Sequence, residues 1–191
     1  QPYNRIPVYR DVLADLEQWD RPGPRYTSYP TVPVWGPIEP AVVQHALQGV
    51  RNPPQVYVHV PFCAQQCLYC GCTMAVAGRR EAGDRYLDRL AIEVADLPLP
   101  APQVAVRRIH LGGGTPTWLS TTQLHRLFDI LGTRFEPMPG AELSVEIDPD
   151  ITTLDQLEAL HERGVRRVSI GVQSFDPVVQ EAVQRPQHPG H

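Results

Sequence analysis

The sequence contains no lysine, and its 17 basic residues other than histidine are all arginine, a bias that fits GC-rich coding better than a functional requirement. No apolar run approaches the roughly 20 residues of a membrane-spanning helix. No signal peptide or lipidation motif opens the chain. We therefore expect a cytoplasmic protein that neither crosses nor binds a membrane.

An excess of positive charge is also missing, since the formal net charge is -4. Proteins that bind nucleic acid need a basic patch to contact the phosphate backbone, so we expect no nucleic-acid partner. With 191 residues, of which 42% are hydrophobic, the chain can bury a core as one domain or as part of one.

Cysteine is scarce as well, and all four cysteines lie in one stretch, Val56 to Cys72, which reads VYVHVPFCAQQCLYCGC. Alternating apolar and polar residues predict a strand that ends at Pro61, so the cysteines lie in the loop that follows. Cys63, Cys67 and Cys70 have the spacing C-x3-C-x2-C. Three thiolates on one short loop can converge on a soft metal centre, and thiolates are the usual ligands of iron-sulfur clusters.

Two alternatives to a cluster remain open. Four cysteines can close a zinc site, although structural zinc usually takes two spaced pairs and no second pair is present. Two disulfides fit an even count, but a chain with an apparent core has little need of them. Because Cys70 and Cys72 are separated by one residue, we expect Cys63, Cys67 and Cys70 to bind the cluster and one iron to stay open.

A strand and helix pattern repeats after the cysteine loop and predicts four βα units, hence a parallel sheet with right-handed crossovers. The later strands are predicted at 104–111, 141–147 and 166–173, and helices at 80–96, after Ser120, at 153–163 and from Asp176. The segment before them is rich in proline and aromatic residues, with helices predicted at 11–19 and 40–48. We divide the chain into this arm, residues 1–50, and the βα units, residues 51–191.

Strand alternation also predicts which side chains face a ligand. Apolar residues of the last two strands should meet the covering helices: Leu143, Val145, Ile147, Val168, Ile170 and Val172. Glu146 and Gln173 then point to the other side, at the carboxyl ends of strands, where parallel sheets bind ligands. A buried glutamate can equally be a paired structural carboxylate. The run Gly112 to Gly114 lacks the spacing of a nucleotide motif and indicates only a sharp turn or a close approach.

These residues carry a resemblance. The spacing C-x3-C-x2-C, with Tyr69 before the last cysteine, resembles the signature of radical S-adenosylmethionine (SAM) enzymes. The longer stretch HVPFCAQQCLYCGC resembles the oxygen-independent coproporphyrinogen III oxidases, whose pattern includes a further cysteine at the position of Cys72. The resemblance spans nearly the whole chain through PGPRYTSYPT at 22–31, LGGGTPT at 111–117, SVEIDP at 144–149 and GVQSF at 171–175.

The resemblance implies a partial, incomplete parallel βα barrel of the radical SAM type with an N-terminal arm. It implies a 4Fe-4S cluster on the first three cysteines, two SAM molecules per subunit and a catalytic role for Cys72. The positions that match SAM contacts are Tyr57, Tyr69, Gly113, Gly114, Thr115, Glu146, Gln173 and Arg185. Arg185 can instead be a solvated cation at a helix end.

The function implied is oxidative decarboxylation of coproporphyrinogen III propionates to vinyl groups by a SAM-derived 5'-deoxyadenosyl radical, which gives protoporphyrinogen IX in heme biosynthesis. It implies a tetrapyrrole substrate, an electron-donor protein and a monomer. The alternatives are a related radical SAM methyltransferase and a heme chaperone, but such chaperones usually lack the fourth cysteine. Family members continue to six strands and a C-terminal domain, so we expect these 191 residues to be a part that binds cofactors weakly and does not decarboxylate alone.

Overall fold

The computed structural model describes residues 32–188. The chain divides between Glu39 and Pro40 into two units. The described part of the first unit contains the 3-10 turn Val32–Val34. The helix predicted at 11–19 and the segment PGPRYTSYPT lie outside the described residues, and the boundary expected at residue 50 stays a prediction.

The second unit alternates helices and strands. The helices are α1 Pro40–Gln48, α2 Glu81–Asp96, α3 Thr121–Gly132, α4 Leu154–Glu162 and α5 Pro177–Ala182. The strands are β1 Gln55–Val60, β2 Phe62–Cys63, β3 Ala75–Val76, β4 Val104–Gly113, β5 Phe135–Ile147 and β6 Arg167–Ile170. None of these described helices has the length and apolarity needed to cross a membrane.

The main sheet has the order β1-β4-β5-β6, and every neighbouring pair is parallel. The predicted α/β fold with a parallel sheet is therefore confirmed. Strands β2 and β3 form a separate parallel pair, one at the start and one after the end of the cysteine loop. This pair was not predicted from the sequence. All four long strands run the same way, so their carboxyl ends meet at one edge of the sheet.

Strand β5 begins six residues before its predicted start, at Phe135 rather than at residue 141. Val106 pairs with Pro137 and Arg108 with Glu142, so β5 bulges between these pairs, with Gly140 at φ +80°. The bulge interrupts the alternation of inward and outward side chains, and proline disfavours strands. The sequence pattern therefore predicted a strand shorter than the one observed. Strand β6 ends at Ile170, whereas the sequence predicted that it would continue to residue 173.

The core lies between the sheet and helices α2, α3 and α4. Its best buried side chains come from β1, β4, β5 and these helices: Val60, Leu87, Val106, Leu111, Leu124, Leu127, Val145 and Leu160. The burial predicted for β5 is confirmed, but the burial predicted for β6 is wrong, since Val168 is 42% and Ile170 is 56% exposed. Within the described residues β6 pairs only with β5, and α5 has no buried residue to cover it.

Two capping glutamines fix the loop that leads from β4 into α3. Ser120 and Gln123 form the predicted capping box of α3, and Thr153 and Gln156 form another at α4. The buried Gln156 side chain also donates to the carbonyl oxygens of Thr117 and Leu119, at 2.7 and 2.6 Å. The segment that follows the glycine run is therefore anchored from α4, which positions one wall of the site described next.

Candidate cofactor site at the carboxyl ends of the strands

A pocket of about 270 Å³ opens where β4, β5 and β6 end beside the cysteine loop. Every site residue predicted from the sequence lines it except Tyr57: Cys63, Cys67, Tyr69, Cys70, Cys72, Gly113, Gly114, Thr115, Glu146, Gln173 and Arg185. The pocket also contains residues that the sequence did not single out, among them Gln65, Met74 and Asp148. Segments more than 100 residues apart in sequence therefore meet at one edge of the sheet.

The four cysteines are free thiols that differ in exposure. Cys67 is buried, Cys63 and Cys70 are half-buried, and Cys72 is exposed. No three His, Cys, Asp or Glu side chains within residues 32–188 are grouped to hold a single metal ion. A 4Fe-4S cluster does not require such a group, because each thiolate binds a different iron.

The glycine run packs directly against the cysteine loop. A Cβ atom on Gly114 would lie 2.6 Å from the Phe62 carbonyl oxygen and 2.9 Å from Cys63 Sγ, so only glycine fits there. The amide of Thr115 donates to the same carbonyl at 2.7 Å, and its hydroxyl lies 3.6 Å from Cys63 Sγ. The close approach predicted for this run is confirmed, and it brings the backbone of Gly114 and the hydroxyl of Thr115 beside the Cys63 thiol.

Glu146 is tied to the end of β4 on the ligand side of the sheet. Its Oε2 accepts a hydrogen bond from the Gly113 amide at 3.3 Å, and its Oε1 lies 3.3 Å from His110 Nε2. The other ring nitrogen of His110 lies 2.8 Å from the Ser144 hydroxyl. His110 was not among the site residues predicted from the sequence, although its alternation within β4 and its register opposite Ser144 place it on this face.

Tyr57 lies beside this carboxylate rather than in the lining of the pocket. Its ring stacks on His110 with centroids 5.8 Å apart. A Cβ atom on Gly112 would lie 3.0 Å from both the Tyr57 ring and the Glu146 carboxylate. The structure therefore groups Tyr57 with Glu146 through His110.

Arg185 reaches the pocket from the segment after α5. Its guanidinium forms an ion pair with Asp148 at 3.0 Å, donates to the Gly171 carbonyl at 2.9 Å and lies 3.5 Å from Cys67 Sγ. The Arg185 and Asp148 side chains are only 14% and 16% exposed. Arg185 is therefore not a solvated cation. Asp148 was missed by sequence reasoning, although it directly follows the predicted strand end at Ile147.

Burial shifts the acidity of several groups in the pocket. It raises the pKa of the Cys63 thiol, against the opposing effects of the Thr115 hydrogen bond and the Arg185 charge. Partial desolvation, followed by the hydrogen bond and charge of Cys70 and then the charge of Glu146, raises the pKa of the largely exposed Cys72 thiol. Burial and a hydrogen bond with Cys67 raise the pKa of Tyr69 to about 12. Cys63 and Cys72 therefore keep their protons at neutral pH, and a metal that binds Cys63 must displace one.

Residues 57–190 match the family model of the radical SAM superfamily. The match includes the cysteine loop, the glycine run and the strand ends that line the pocket. The chain belongs to the radical SAM superfamily. Membership implies a 4Fe-4S cluster, as the cysteine spacing predicted, and SAM, as the resemblance implied.

Relatives within the radical SAM superfamily match most of the chain. It is 40% identical over 178 residues to the oxygen-independent coproporphyrinogen III oxidase of Escherichia coli, a match that covers 92% of this chain and 39% of the relative. It is 43% identical over 185 residues to the enzyme of that name from Pseudomonas aeruginosa, covering 92% of this chain and 40% of the relative. The chain thus spans about 40% of the length of these curated relatives.

A solved structure also matches, described as coproporphyrinogen III oxidase from Escherichia coli, a radical SAM enzyme. The TM-score is 0.76 and the identity is 37%, with 92% of this chain and 39% of that chain covered. This similarity confirms the predicted radical SAM fold.

The pocket residues of this radical SAM chain fit the implied cofactors. Three thiols with the cluster spacing share the pocket with exposed backbone at Gly113 and Gly114. The Nε-H group of Arg185 is buried and has no hydrogen-bond partner among the described residues. Buried donors in native proteins are nearly always satisfied, so an unpaired donor at this position is expected where a ligand accepts the bond.

Proposed function

We propose that this chain forms the cofactor-binding part of an oxygen-independent coproporphyrinogen III oxidase. The observation that carries the proposal is the pocket in which the extended cysteine loop, including Cys72, meets Glu146, Gln173 and Arg185. Relatives of that name, about 40% identical over 92% of the chain, support the same reaction. The substrate class is a reduced tetrapyrrole with propionate side chains.

In this proposal Cys63, Cys67 and Cys70 hold the 4Fe-4S cluster. When bound, the reduced cluster supplies the electron that cleaves SAM and so generates the radical that starts the reaction. The protein positions the cofactors and keeps water away, while the cofactors supply the chemistry. Transfer of one hydrogen atom from a propionate to that radical, loss of carbon dioxide and transfer of one electron to a one-electron acceptor outside this chain would leave a vinyl group.

The remaining residues bind and orient. Gly113 and Gly114 line the pocket beside Cys63, and because they carry no side chain a polar group of SAM can approach their backbone close to the cluster. Glu146 is held by the Gly113 amide and by His110, so its carboxylate keeps one orientation. Tyr57, Tyr69, Gln173 and Arg185 complete the contacts proposed for two SAM molecules.

Cys72 is the residue that we assign to the substrate. It is exposed, it lines the pocket beside the proposed cluster ligands, and it is the one cysteine of the loop outside the three-ligand spacing. The electron-donor protein, the monomeric state and the cytoplasmic location expected from the resemblance belong to this proposal as well.

The cofactor part is tested by anaerobic reconstitution with iron and sulfide, followed by iron counting and an assay of SAM cleavage. Replacing Cys63, Cys67 or Cys70 with alanine should abolish the visible absorbance of the cluster. Cys72→Ala is the matched control and should keep it. A cluster that survives in Cys67→Ala but is lost in Cys72→Ala would contradict the assignment.

The reaction is tested in a hybrid in which these residues replace the matching 39% of the Escherichia coli enzyme. We expect release of carbon dioxide from carboxyl-labelled coproporphyrinogen, with the parent enzyme as positive control and Cys63→Ala as negative control. Methyl transfer would instead indicate a methyltransferase. Heme binding without turnover, in a hybrid that holds a full cluster, would indicate a chaperone.

A further inference from the structure

Arg185 is in contact with one of the predicted cluster ligands. Its Nη1 lies 3.5 Å from Cys67 Sγ, across 118 residues of sequence. Cys67 is only 6% exposed, so water screens this contact weakly. A guanidinium that donates to a thiolate would form a charge-assisted hydrogen bond, which is stronger than a neutral one.

The guanidinium is held in this position from two further sides. Asp148 pairs with Nη2 at 3.0 Å, and the Gly171 carbonyl accepts from the same nitrogen at 2.9 Å. Asp148 is itself fixed at the end of β5, because its Oδ1 accepts from the Asp150 amide at 3.0 Å. Removing one partner of a buried ion pair leaves the other unpaired, so Asp148 and Arg185 depend on each other.

We propose that Arg185 donates a hydrogen bond to the Cys67 thiolate of the loaded protein. Asp148 is the positioning residue that holds the Arg185 guanidinium there. Together the two residues raise the reduction potential of the cluster. Hydrogen bonds to the sulfur ligands and nearby charge set the potential of iron-sulfur clusters. A donated hydrogen bond and a positive charge both favour the reduced form, which carries one more negative charge. This inference rests on the proposed cluster.

The role differs from a contact between Arg185 and SAM, because it acts when SAM is absent. The experiment is therefore a redox titration of the reconstituted chain without SAM, followed by electron paramagnetic resonance of the reduced cluster. Arg185→Gln should lower the midpoint potential. Arg185→Lys, which keeps the charge but loses the planar guanidinium, should lower it less.

Arg126→Gln is the matched control, because it also removes one positive charge. Arg126 on α3 pairs with Asp88 on α2 at the surface. Arg126→Gln should therefore leave the reduction potential unchanged. Iron content and circular dichroism of each variant show whether the loaded fold is retained. Arg185→Lys serves as the reference if Arg185→Gln does not fold.

Asp148→Ala separates positioning from simple charge. Loss of its negative charge alone would raise the potential, whereas loss of the Arg185 position would lower it. We expect a lower potential, and a rise would overturn the positioning role. An unchanged potential in a cluster-loaded Arg185→Gln variant would overturn the inference and leave the proposed function intact, whereas absence of a cluster from the unsubstituted chain would overturn both.

Discussion

Strands β5 and β6 have similar alternating sequences but different surroundings. On β5, Leu143 is 6% and Val145 is 0% exposed, whereas on β6 Val168 is 42% and Ile170 is 56% exposed. β5 lies between β4 and β6 in the sheet, while β6 pairs, within residues 32–188, with β5 alone. The alternation therefore indicates which way a side chain points, but not whether anything covers it.

The ends of the two strands lie side by side and both line the pocket. Glu146 at the end of β5 is held by a backbone amide and by His110. Gln173 after β6 is exposed and has a φ of +68°, a conformation that is costly for a residue with a side chain. The Glu146 side chain at the end of β5 is therefore held by hydrogen bonds, whereas the Gln173 side chain after β6 is exposed.

The largest expected difference between the strands concerns stability. Leu143→Ala should lower the free energy of unfolding by about 2 to 5 kcal/mol, because it leaves a cavity in the core. Ile170→Ala should change it by less than about 0.5 kcal/mol, because its side chain is exposed. Urea denaturation of both variants gives the two values, and equal losses would show that Ile170 is buried in solution.

The next effect concerns ligand binding at the two strand ends. Glu146→Ala should weaken SAM binding by about 1 to 3 kcal/mol through a lost hydrogen bond, and Gln173→Ala should weaken it less. Anaerobic calorimetric titration of the reconstituted protein measures both. Glu142→Ala is the matched control, because Glu142 lies on the same face of β5 but pairs with Arg108 and lies outside the pocket. SAM affinity that does not change in a folded Glu146→Ala variant would make Glu146 merely structural.

The smallest effect concerns the helices that follow the two strands. Thr153→Ala removes the capping box of α4 and should cost about 1 kcal/mol of global stability. Asp176→Ala removes the cap of α5, a helix of six residues with none buried, so it should mainly speed hydrogen exchange within α5. A loss of global stability in Asp176→Ala as large as that in Thr153→Ala would show that α5 unfolds together with the core.

The sequence by itself determined the features that have local causes. The order of the long strands and the helices and the capping box at Ser120 follow from residues near each position. The same is true of the cysteine loop, because its three spaced thiols lie within eight residues of one another.

Only the tertiary structure decided the exposure of β6, the bulge in β5 and the partners of the charged groups. The Asp148–Arg185 pair, the contact of Arg185 with Cys67 and the His110–Glu146 pair join residues far apart in sequence. No local pattern specifies such contacts, because they depend on which strand ends are brought together and on what covers each face. Sequence periodicity gives a side chain its direction, whereas the packing of distant segments gives it a partner.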